Sequence, residues 1–111
     1  RDLDGAPRHT RKFLARPRRI EVHDVVSAGC GQPVVARILL APGLTLESGD
    51  RGVYQIVGGS RPITLTTDSP VTAHDTWWFP DFGRREAAVQ IEIRYGAAPC
   101  SGSFVLDAAP G

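Results

Sequence analysis

A chain of 111 residues, 41% hydrophobic and 23% charged, is long enough for one hydrophobic core and is not composed like a disordered polymer. Its longest mostly apolar stretch, Val34 to Leu46, is broken by Arg37 and Pro42 and is too short to cross a bilayer; no signal-peptide pattern opens the chain. The net charge of +1 hides an asymmetry, because residues 1–19 carry six Arg and Lys12 against Asp2 and Asp4, while the remainder is net acidic.

The start at Arg1 and the absence of Met point to a processed or excised piece of a larger protein. Twelve Arg against one Lys suit a GC-rich, bacterial genome. The basic residues 1–17 are expected to form a lead-in: a linker from a preceding domain or an edge strand, with His9–Leu14 as the candidate strand. Such a run can bind polyanions, but solvated positive charge also discourages edge-to-edge pairing of sheets, and that plainer role is preferred.

From residue 18 to 111 the pattern predicts one β domain. Arg18–Asp24 alternates with a period of two, Ile20 and Val22 on one face and Arg19, Glu21 and His23 on the other. Val34–Leu40 is nearly all apolar, as in a strand covered on both faces. Shorter strands are predicted at Leu44–Glu47, Gly52–Val57, Arg61–Thr67, Val71–Trp77 and Ser103–Asp107. Val89–Tyr95 alternates again, placing Val89, Ile91, Ile93 and Tyr95 inward and Gln90, Glu92 and Arg94 outward. Turn chemistry at 28–33, Ala41-Pro42-Gly43, 47–52, Gly58-Gly59 and Asp68-Ser69-Pro70 separates these runs. No window has a helical apolar period. The expected fold is an all-β, two-layer antiparallel β-sandwich with no long helix. Its core should include Ile20, Val22, Leu39, Ile63, Leu65, Val89, Ile91, Ile93 and Leu106.

The chemistry implied by the residues is sparse. Cys30 and Cys100, both in Gly-rich turns, suit either one disulfide of an exported protein or two thiols in a reducing compartment; a periplasmic or extracellular location is the preferred setting. Neither a zinc-type spacing nor a phosphate-binding loop is present, so no metal and no cofactor are expected. His74-Asp75 could supply the orienting half of a triad, yet no Ser sits in a nucleophile elbow. Asp24, Asp75 and Asp81 could offer a carboxylate pair, but their spacing does not single one out. The chain contains no Asn.

The segment from His74 to Arg85 stands apart, with four of the eight aromatics within six residues. Three uses are open: a patch buried against a neighbouring domain, a cap on this domain's own core, or a sugar platform. In the last, Trp77 and Trp78 stack on sugar faces and Arg84 and Arg85 pair a uronate carboxylate.

The order of landmarks resembles the C-terminal β-domain of the heparinase II/III-like polysaccharide lyases. The carriers are His9-Thr10-Arg11-Lys12-Phe13-Leu14, the strand Ile20–Val26 with its Asp, Arg37–Gly43 running into a Pro-Gly turn, Phe79-Pro80-Asp81-Phe82-Gly83 before a long alternating strand, and the closing Phe104–Asp107. The resemblance implies a parent that eliminates across uronic-acid linkages, with an α/α-toroid ahead of β-sandwich regions. It further implies catalysis by an Asn-type carboxylate neutraliser with Tyr and His. With no Asn, and with Tyr54 and Tyr95 inside strand patterns, no catalytic residue carries over to this chain. The expected role is a non-catalytic tail that supports the catalytic domains, with the N-terminal catalytic domain of the same parent as partner and acidic polysaccharide as a further one. Neither nucleic acid nor a membrane span is expected. The rival roles are a carbohydrate-binding module and an Ig-like interaction module.

Overall fold

The computed structural model describes residues 8–27 and 31–108, and every regular element among them is a β-strand. In chain order these are β1 (His9–Arg16), β2 (Arg19–Val26), β3 (Pro33–Leu39), β4 (Thr45–Ser48), β5 (Val53–Val57), β6 (Ile63–Thr66), β7 (Val71–Asp81), β8 (Arg84–Ala97) and β9 (Cys100–Ala108). Two antiparallel sheets form the sandwich. One has six strands in the order β1-β2-β9-β6-β5-β4, the other three in the order β3-β8-β7.

Alternation explains the packing. On β8, Ile91 and Ile93 are fully buried. They pair with Ile38 and Ala36 of β3, and with Ala73 and Val71 of β7. Across the interface lie Val22, Phe104, Leu65 and Ile56 of the six-stranded sheet, and Leu40 completes the buried cluster. Ile63, Val89 and Leu106 pack against its margin.

Two expected core residues lie elsewhere. Leu39 is 48% exposed and Ile20 is 42% exposed. Leu39 shares the outward parity of Arg37, so β3 is covered on one face only, not on both. Ile20 does share a face with Val22, but three strands cannot cover six, and this end of the inner face is left open. The basic run His9–Arg16 is the edge strand of the wide sheet, exposed along its length. Cys30, and with it any bridge to Cys100, lies outside the described residues.

Candidate interaction site

The β7–β8 hairpin outgrows the sandwich. Pairing with β3 ends at Leu39–Gln90, followed by a bond from the Leu40 N–H to the Val89 carbonyl at 2.9 Å. Beyond that point Ala88, Ala87, Glu86 and Arg84 pair only with β7, across a register shift between Trp78 and Asp81. Phe82-Gly83 closes the ribbon between Asp81 and Arg84, and Gly83 has φ +79°, a conformation that a side chain would disfavour.

The aromatic cluster rides on this overhang. Trp77 pairs with Ala87 and so continues the face that carries Val89 and Ile91; Trp78 pairs with Glu86 on the opposite face. Both are accessible, at 48% and 37%, so neither caps the core. Phe79 is 67% exposed and Phe82, at the apex, is completely exposed. Arg85 shares Trp77's face, and its guanidinium carbon sits 4.3 Å from the indole centroid, a cation–π contact. Arg84 reaches Asp81 at 3.5 Å. Thus Trp77 and Arg85 are held together, while Trp78 faces away from them and Arg84 is engaged at the tip.

Two polar clusters lie away from the overhanging tip. The first centres on Asp24, which follows the parity of Val22 and Val26 and is 1% exposed. Arg11 donates from Nε to Oδ1 at 2.6 Å and from Nη2 to Oδ2 at 2.9 Å; the Tyr95 hydroxyl donates to Oδ2 at 2.7 Å; His9 Nε2 lies 3.0 Å from Oδ1. Burial works to raise the Asp24 pKa, but the hydrogen bonds from Arg11, Tyr95 and His9 outweigh it and hold the carboxyl at about 2. Tyr95 is pushed well up by burial and by the carboxylate it serves, so its proton is firmly held, which suits a clamp between sheets and not a base. Position alone offered the signal for this cluster: an acid on the apolar face of β2.

The second cluster lies on the outer face of the narrow sheet. Glu92 Oε1 is 3.0 Å from His74 Nε2 and 3.3 Å from Arg94 Nη2, and Arg37 Nε donates to Oε2 at 3.3 Å. His74 thereby turns to Glu92 and Thr72, not to Asp75, because adjacent strand residues face opposite ways. The three aspartates are likewise separated in role: Asp24 is clamped between sheets, Asp75 lies beside Leu44 and Ala87, and Asp81 is at the hairpin tip.

Against known families, the one described as "Heparinase II/III-like, C-terminal" matches residues 4–105 of the 111. The chain belongs to this heparinase II/III-like family, as its C-terminal domain. No curated protein matches the chain. A heparinase II/III-like C-terminal domain is part of a larger protein. No helix among the described residues is long and apolar enough to cross a membrane.

Proposed function

We propose that this heparinase II/III-like domain is a non-catalytic support for the catalytic domain of a lyase acting on acidic, uronate-containing polysaccharide, and that the β7–β8 hairpin is the element that docks on that domain. The observation that carries the reading is the overhang itself: Trp77, Trp78, Phe79 and Phe82 stand in solvent on a ribbon beyond the core. Burying an aromatic of this size against a neighbour contributes about 1.5–3 kcal/mol, so an intact parent gains by covering the tip.

The test has two arms. The purified chain should release no unsaturated uronate, followed by its ultraviolet absorbance, from heparin-like or alginate-like polysaccharide. In the whole parent protein, acrylamide quenching of Trp77 and Trp78 should fall sharply relative to the chain alone. Equal quenching in both settings overturns the docking role, and sustained product release by the chain overturns the non-catalytic one.

The Arg85–Trp77 stack favours a second reading, a carbohydrate-binding module in which Trp77 stacks on a sugar face and Arg85 pairs a uronate carboxylate, with Trp78 and Arg84 outside that pair. Acidic oligosaccharide would then shift the emission of the isolated chain, and Arg85→Gln would abolish that shift.

A further inference from the structure

The open end of the wide sheet carries a second, independent surface. The turn from β1 to β2 is the two-residue loop Pro17-Arg18 between the paired Arg16 and Arg19. Pro17 fixes a negative φ and Arg18 has φ +68°, the combination of a type II turn, whose third position ordinarily takes glycine. An arginine there stores strain, and its carbonyl is fixed by the Ala108 N–H at 2.8 Å. Glycine would hold this turn more comfortably; arginine stands there instead and sets a guanidinium at the open end of the sheet.

Beside the turn is a cavity of about 230 Å³ lined by Arg16, Arg18, Arg19, Ile20, Ile63, Leu106 and Ala108. Its floor is aliphatic, on the inner face that the three-stranded sheet leaves uncovered. Ala15 and Phe13, opposite Ile20 and Val22, continue the apolar strip to the sheet edge, where Phe13 is 62% exposed. Arg19 is engaged by Asp107 at 3.3 Å and Glu21 at 3.7 Å. Among the described residues, Arg16 and Arg18 have no acidic partner; Arg18 has the parity of Ile20 at the edge of the apolar floor, and Arg16 borders the same cavity from the end of β1.

We propose that this turn and cavity form a docking site for an acidic peptide segment that inserts one large apolar side chain between carboxylates paired to Arg16 and Arg18. The lining decides the class of partner. A sugar would meet branched aliphatics with no aromatic face and no side-chain amide or hydroxyl, whereas a leucine or phenylalanine side chain meets its own kind. The surface shares no residue with the β7–β8 hairpin.

The test uses the full chain and a fluorescein-labelled, end-blocked hexapeptide of alternating aspartate and leucine, read by anisotropy. The same peptide with asparagine for aspartate, anionic phosphatidylglycerol vesicles and a heparin-derived oligosaccharide serve as comparisons. The acidic peptide should bind at least about tenfold more tightly than its asparagine form, with competition by neither vesicles nor oligosaccharide. Arg18→Gly should raise the melting temperature by a few degrees while weakening the peptide about tenfold. Ile20→Asp, at a half-exposed position, should abolish binding with the far-UV spectrum unchanged, and Trp77→Ala should leave binding as it was. The proposal is overturned by absence of peptide binding, by equal binding of the asparagine form, by preference for vesicles or oligosaccharide, or by an Arg18→Gly protein that binds normally or melts lower.

Discussion

Replacing Asp24 by Asn isolates the clamp between the sheets. In the folded chain the Asp24 carboxyl sits at about 2, against 3.8 for the unperturbed group. A carboxyl depressed by folding adds stability that is complete above its unfolded value and disappears as pH falls through its folded one. Lowering 3.8 to about 2 corresponds to about 2.5 kcal/mol at neutral pH, present above about pH 4 and lost on the way down to pH 2. Asp24→Asn removes that contribution and leaves Arg11 facing a neutral amide. Because Arg11 is itself 35% exposed, water offsets part of the loss, and the total should fall at about 2–4 kcal/mol. The assay is urea unfolding followed by far-UV circular dichroism at pH 7, 4 and 2.5. The gap between wild type and Asp24→Asn should be full at pH 7, nearly full at pH 4, and mostly closed at pH 2.5. A difference below about 0.5 kcal/mol at pH 7, or one that persists undiminished at pH 2.5, would refute the reasoning.

Further perturbations probe other parts of the fold. Ile91→Ala, at a fully buried position, should cost about 2–5 kcal/mol in urea unfolding with little change in the m-value. A Cβ at Gly102 would run into the Tyr95 ring, so Gly102→Ala should destabilise by about 1–3 kcal/mol. It should also displace the Tyr95 hydroxyl from Asp24, seen as a lowered phenol pKa in ultraviolet titration. Arg85→Gln should cost no more than about 1 kcal/mol, since the stack on Trp77 is exposed, while increasing acrylamide access to one Trp.

How far the sequence foretold this structure depends on the range of the interaction. Period-two alternation on β2 and β8 is a local property, and it placed Val22, Ile91, Ile93 and Tyr95 on the correct face. Ile20 and Leu39 obey similar local rules yet lie half exposed, because their burial depends on how wide the opposite sheet is and which side it covers. The aromatic run around Trp77 was conspicuous in composition. Its position on an overhang depended on β3 stopping at Leu39, some forty residues earlier in the chain. Asp24 was visible as an acid among valines, but its partners come from 13, 15 and 71 residues away. No spacing motif announces such a meeting.

The pairing of β2 with β9 also bears on how the chain folds. The wide sheet is continuous only when Arg19 meets Asp107, 88 residues later. Before that, β1–β2 is one hairpin and β4–β5–β6 another unit, each closed by short loops, with nothing to join them. Closing so large a loop imposes its entropy cost before the contacts that compensate it exist, which places the domain among slow, millisecond-to-second folders. During synthesis, the two early units can join into one sheet only after β9 has left the ribosome. Val22 shares in this delay, because its neighbour on the adjoining strand is Phe104. The final nine residues of ordered strand are therefore the closing step of assembly, and a nascent chain stalled before Cys100 would present two unjoined sheet fragments to whatever binds exposed valine and isoleucine.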